Sequence, residues 1–356
     1  MFLRFVIATI FALQIGSSAL AQVAEKAADP FRNYGETVVT KYRVGVTIDA
    51  AKGPVQDVFA MMAIPFECDE QEVIVADEDI SPEIDSVKYR TLQDGATQML
   101  ITIPYLPGKT KANAILTFEV RTKAILPPDE EFTAQLVPPK KPDRDLKRFL
   151  GRSKYIQSNH GKIRRELKAI FEEKPKAEKL DAKDKSTDDT VELTSLEATE
   201  SEDDAETPTA ELNTWQRVEK IYDHVQKSIE YVEGNDQNAV QTLDRKKGDC
   251  HDVSALFVAL CRADKIPARM VWVHEHQYAE FCLQDAKGEL HWFPVESSGM
   301  RAFGEMPLAR VIMQKGDNFR IPERPGEAFR YASEFLTGSP VPGSGKPTVR
   351  YIREKL

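Results

Sequence analysis

The sequence predicts an α+β protein in which an antiparallel β-sandwich precedes a unit of helices and strands. Three observations lead there. Residues 37–127 alternate apolar and polar side chains with a period of two. Residues from 213 to 263 carry two apolar stripes at helical spacing, and residues 268–295 return to short strands. The chain has 356 residues, enough for two domains that each bury a core.

The N-terminus comes first. Arg4 precedes an apolar run from Phe5 to Ile15, and Ala19-Leu20-Ala21 supplies small residues at a cleavage spacing. Residues 1–21 therefore read as a signal peptide, with Gln22 opening an exported chain, periplasmic or extracellular. An uncleaved anchor is the alternative, but the apolar run is short for a bilayer. After cleavage no stable membrane insertion is expected.

In TKYRVGVTI, Tyr42, Val44, Val46 and Ile48 alternate with polar or small residues, and in ILTFEVR, Leu116, Phe118 and Val120 do the same. VFAMMAI, EVIVA, VKYRTL and QMLITIPYL lie between them, with a turn signal at Asp94-Gly95 joining the last two. Some six strands in this pattern predict a sandwich over 33–128. Pro138, Pro139 and Pro142 mark a boundary, and DLKRFL and KIRRELKAIFEE make 129–173 a helical connector.

The net charge of −9 is local. STDDTVELTSLEATESEDDAE (186–206) holds nine acidic residues and no basic one, so the remainder is neutral. Such a run buries too little surface to order itself, and 174–211 reads as a disordered acidic insert. No basic patch points to nucleic acid as a partner. In NTWQRVEKIYDHVQKSIEYV, Asn213 can cap with Gln216 three residues on, while Trp215, Val218, Tyr222, Val225 and Ile229 line one face as core.

The chain has four cysteines, Cys68, Cys250, Cys261 and Cys282, too few for a disulfide framework and without zinc spacing. Cys250 stands in GDCHDVSALFVALCRADKIPAR. Val253, Leu256, Phe257 and Leu260 make a helix, Asp249 can cap it, and Cys250 falls in its first turn, where the positive macrodipole is expected to lower a thiol's pKa. A nucleophile needs a base and an orienting carboxylate. QYAEFCL and ELHWFPV read as paired strands, and a reversal centred on residue 286 puts His276 opposite Glu296. A four-residue loop would put them on opposite faces, so the pairing requires an odd loop or a bulge. His274 is the rival base, His251 is expected to face elsewhere, His291 reads as surface or second shell, and Glu280 as a solvated or structural carboxylate. Cys68 reads as a core or turn residue. An oxidising compartment allows a Cys261–Cys282 disulfide, with core burial the default.

GDCHDVSALFVALCRADKIPAR, His276-x-Tyr278-x-Glu280 and Trp292-x-x-x-Glu296 together resemble the core of the transglutaminase-like superfamily, closely over 212–310, and the KGDNF segment is similar more loosely. The resemblance implies a papain-related architecture over 212–356. It matches Cys250 to the nucleophile, His276 to the general base and Glu296 to the orienting carboxylate, where the family's usual residue is aspartate. It also implies a thiol-dependent amide hydrolase or acyltransferase acting on protein or peptide; the sequence itself shows no cofactor motif and no calcium ligand set. A retired homologue that binds without chemistry is the alternative, and the oligomeric state is left open.

The acidic insert yields the first prediction. Deleting 177–208 is expected to leave the melting temperature and the reactivity of Cys250 unchanged; a large fall in melting temperature would mean that the insert packs against the core.

Overall fold

The computed structural model describes residues 30–93, 95–172, 211–234 and 236–356. The expected signal peptide, Asp94 and all of the expected acidic insert but Glu211 lie outside the described residues. Among the described residues, no helix is long and apolar enough to cross a membrane.

Alternating side chains give β1 (Asn33–Asp49), β2 (Val55–Ile64), β3 (Gln71–Ile80), β4 (Ser86–Leu92), β5 (Ala96–Leu106) and β6 (Lys111–Leu126). Antiparallel pairing sets Tyr42 opposite Phe118 and Val44 opposite Leu116. Those residues meet Val58, Ala60 and Met62 of β2 and Met99, Ile101 and Ile103 of β5 in a shared core. Met61 and Ala63 are buried on the other face of β2 against Phe319 and Ile321, which explains the unbroken apolar run of that strand.

The helices are α1 (Glu130–Thr133), α2 (Arg144–Lys147), α3 (Gly161–Glu172), α4 (Thr214–Ser228), α5 (Ala239–Arg245) and α6 (Cys250–Ala263). Asn213 caps α4 in a reciprocal box with Gln216, as the sequence suggests. Trp215 lies edge-on to Phe293 and Phe303 and packs against the main core, as expected of a core residue. The most buried helix is α6, with Phe257, Val258, Ala259, Leu260 and Cys261 wholly inaccessible.

The remaining strands are β7 (Glu230–Tyr231), β8 (Lys247–Gly248), β9 (Ala268–Val273), β10 (His276–Gln284), β11 (Leu290–Glu296), β12 (Ala302–Phe303), β13 (Ile312–Lys315), β14 (Phe335–Pro340) and β15 (Thr348–Lys355). One nine-stranded sheet runs β12-β11-β10-β9-β13-β5-β2-β14, with β4 paired to β5, and a four-stranded sheet runs β15-β1-β6-β3. Apart from the short parallel β7–β8 pair, the pairings are antiparallel, and the chain is α+β. Its connectivity departs from the boundaries expected at 33–128 and 212–356. The strands of 33–126 do not close on themselves: β15 covers the open edge of β1, β14 that of β2, and β13 joins β5 to β9. The returning chain covers these two edges, and β14 and β15 become the outer strands of their sheets.

A buried ionic cluster sits at this seam. Lys315 of β13 pairs with Glu70 before β3 and with Glu280 of β10 at 2.9 Å, and Arg269 of β9 donates to Glu280 at 2.6 Å. All but Arg269 are buried. Burial pushes the Glu70 carboxyl up, but Lys315 outweighs it and holds the group below its ordinary value. Glu70 therefore adds stability above the ordinary glutamate range and loses it as pH falls through the folded value. Lys315→Met reverses the sign, because an unpaired buried carboxylate is penalised when charged. The substitution is expected to cost about 3–5 kcal/mol at pH 7, with the loss shrinking toward pH 4, as read from denaturant melts at both pH values.

Candidate active site

The G-D-C stretch folds as it does because the start of α6 is buried. Asp249 accepts from the backbone N–H groups of His251 (3.0 Å) and Asp252 (3.2 Å), and Asp252 accepts in return from the Asp249 N–H (3.4 Å). Asp252 is wholly inaccessible and also takes the Gln237 amide N–H at 2.9 Å. A side chain at Gly248 would bring its Cβ to 2.6 Å from the Cβ of Asp252, so only glycine permits this approach.

Cys250 is the first residue of α6 and is 8% exposed. Burial pushes its thiol up to about 11, with Asp249 and Glu296 adding to the rise, while the backbone N–H groups of Gln277 and His251 pull it down. The expected lowering at a helix start is therefore overturned. The first-turn dipole acts, but desolvation of the thiolate is the larger effect.

Gln277 is also the residue that follows His276, so its amide puts the sulfur next to the start of β10. His276 Nε2 lies 2.7 Å from Glu296 Oε2, and since a carboxylate can only accept, this nitrogen carries the proton. In a neutral imidazole Nδ1 is then the acceptor. Glu296 Oε1 accepts from the Ser298 N–H at 3.1 Å, which fixes the carboxylate from its other side. Tyr222 holds the strand end, donating to the Glu296 carbonyl at 2.8 Å and accepting from the Ala302 N–H at 2.9 Å.

The register differs from expectation by one step and keeps its parity. Ala279 faces Val295 and Gln284 faces Leu290, so the reversal is centred on residue 287, and residues 285–289 form an odd loop of five. Continued at this register, Glu296 falls opposite Tyr278, and His276 is its diagonal neighbour on the same face. The longer glutamate chain spans that offset.

The other candidates separate cleanly. His274 is hydrogen-bonded to Tyr42 at 2.9 Å and does not meet Glu296. His251 does not point away: its Nδ1 bonds the Tyr331 hydroxyl, and its Nε2 lies 3.2 Å from the Gln277 side chain, which itself reaches Tyr331 at 2.6 Å. Burial holds the His251 imidazole below its ordinary value. His291 is buried, not at the surface, and lies 3.2 Å from Asp285. Glu280 is structural, within the ionic cluster. The four cysteines are free. Cys261 belongs to the core between α6 and the sheet, whereas Cys282 packs beside Phe149 on the opposite face of β10, so the sheet itself separates them. Gln277 and Tyr331 were not legible as site residues; Gln277 had only its place after His276 as a signal, and Tyr331 sits in a loop without periodicity.

Among the described residues, one group of donors could share an ion, Asp285, Glu289 and His291, whose ligand atoms lie within 4.8 Å of one another. Asp285 already accepts the Lys287 and Glu289 N–H groups there, as its turn requires.

Residues 202–297 match the family model of the transglutaminase-like superfamily. This stretch is similar to a transglutaminase-like core. The crystal structure of a candidate cysteine protease from Cytophaga hutchinsonii is similar to the chain with a TM-score of 0.53 and 18% identity, covering 91% of this chain and 93% of the other. The fold is thus shared well beyond the transglutaminase-like core, across the flanking strands. No curated protein matches the sequence significantly. Beyond the matched residues, Asp317 of the KGDNF segment accepts from Arg262 of α6 at 2.6 Å with both side chains nearly inaccessible, which ties that segment to α6.

The raised thiol gives a pH prediction. Iodoacetamide is expected to alkylate Cys250 more slowly at pH 7 than it does free cysteine, with the rate climbing toward a midpoint near 11. Labelling faster than free cysteine at pH 7 would mean that a thiolate–imidazolium pair exists at rest.

Proposed function

We propose that the chain is an exported thiol-dependent hydrolase or acyltransferase acting on amide bonds in protein or peptide. The observation that carries this reading is the His276–Glu296 hydrogen bond, made beside a strand amide that holds the sulfur of Cys250. The transglutaminase-like match and the fold shared with a candidate cysteine protease support a thiol enzyme, and the run Arg4 to Ala21 supports export.

The chemistry follows from the protonation states. Burial keeps the thiol neutral at rest, and a neutral His276 imidazole with Nε2–H given to Glu296 offers Nδ1 as the base. As the sulfur attacks a carbonyl carbon, Nδ1 takes its proton, and Glu296 stabilises the imidazolium through Nε2–H. The Cys250 N–H, free at the first turn of α6, suits the carbonyl oxygen as charge builds there. The imidazolium then protonates the leaving amine, leaving an acyl group on sulfur for water or another amine.

One observation favours a second reading, a protein that binds without chemistry: Cys250 is buried, and its thiol is held at about 11. The deciding measurement uses p-nitrophenyl acetate. The enzyme reading expects a burst of nitrophenol and an acetyl group on the peptide containing Cys250. His276→Ala and Glu296→Gln are each expected to slow that acylation by about 10²–10⁴-fold. If acetate never reaches Cys250, or reaches it equally fast in both variants, the binding reading replaces this one.

A further inference from the structure

A cavity of about 410 Å³ borders the candidate base and extends away from it toward the four-stranded sheet. His276 and the His274-Glu275 hairpin tip form one wall. Thr40 of β1 and Lys355 of β15 form another, and Arg310, just ahead of β13, completes the lining. Strands from both sheets therefore build a depression beside one reacting group.

Its charges are unbalanced. Among the described residues, neither the half-buried Arg310 nor the exposed Lys355 has a carboxylate partner or a side-chain hydrogen bond. The one carboxylate in the lining, Glu275, has a side chain 84% exposed and is 3.8 Å from His274 Nε2, so it is largely given to solvent. His274 turns its Nδ1 to the Tyr42 hydroxyl at 2.9 Å. Two cations without an acidic partner thus line a cavity that borders the candidate base.

From this geometry we infer that the cavity is an anion subsite, and that the substrate is a peptide carrying a carboxylate close to the amide attacked by Cys250. A guanidinium offers a planar fork that a carboxylate fits, and the lysine adds a point charge over the same space. Thr40 adds a hydroxyl donor. The carboxylate can come from an acidic side chain or from a free chain end; the cavity's chemistry is the same for both. The inference deepens the enzyme reading and rests on it for the position of the scissile bond.

Binding is measured without turnover, in the full chain carrying Cys250→Ser. The probes are acetyl-Ala-Glu-Ala-amide, acetyl-Ala-Gln-Ala-amide and acetyl-Ala-Ala-Ala with a free C-terminal carboxylate. At least one anionic probe is expected to bind about tenfold tighter than the neutral one, and the tighter of the two identifies the source of the carboxylate. Arg310→Gln combined with Lys355→Gln should bring that ratio close to one, and a melting curve checks that the double variant is folded. In the wild-type chain the preferred probe should also protect Cys250 from iodoacetamide. Equal binding of charged and neutral probes, a preference that survives the double substitution, or binding without protection each overturns the subsite. The outcomes stay separate from the enzyme reading. A carboxylate preference with protection, in a chain whose Cys250 never acylates, would sink the enzyme and leave the subsite standing. Acylation without any preference would do the reverse.

Discussion

The rest of the molecule depends on burying α6. A helix with five consecutive inaccessible residues needs apolar walls all round, and it finds them in the inner face of β9–β11 and in α3, α4 and α5. The start of such a helix carries its own acceptors for most of its first-turn N–H groups, leaving that of Cys250 free. Asp249 and Asp252 provide them, and Gln237 holds Asp252 in turn. The same burial that makes the helix a scaffold strips water from the thiol at its first position. A dry thiol is a neutral thiol, so the surroundings of Cys250 set its protonation more than the helix dipole does.

The partner strands solve a second geometric problem. Histidine and carboxylate come from different strands, and a loop of even length between those strands would send them to opposite faces. The five-residue loop, closed by Asp285 accepting the Lys287 and Glu289 N–H groups, keeps His276 and Glu296 on one face. Their diagonal offset suits glutamate. The extra methylene, a departure from the usual aspartate, thereby has a structural account.

Local signals were legible in the sequence because their physics is local. The caps at Asn213 and Asp249, the alternation in β1 and β6, and the helical stripe from Val253 to Leu260 each depend on residues within a turn or a pleat of one another. What the sequence hid was non-local. The carboxylate state of Glu70 depends on Lys315, and the setting of His251 depends on Tyr331, each far along the chain. Cys282 lies on β10, but which face it takes depends on the register of that strand, and that face packs on Phe149. The rise in the Cys250 thiol was hidden for the same reason, since burial is a property of the assembled walls.

The pairing of β15 with β1 has a consequence for how the chain reaches this state. Tyr42 lies opposite Lys355, a contact spanning almost the whole sequence, and β14 and β2 are nearly as far apart along it. Closing such loops costs entropy before any pairing offsets it, so high contact order makes assembly slow. During synthesis, β1 and β2 would leave the ribosome with hydrogen-bonding edges that stay open until the last strands arrive. A chain built this way is exposed to wrong edge-to-edge pairing for most of its synthesis. Moving β14 and β15 ahead of β1 by circular permutation would make those contacts local without altering a residue of the site.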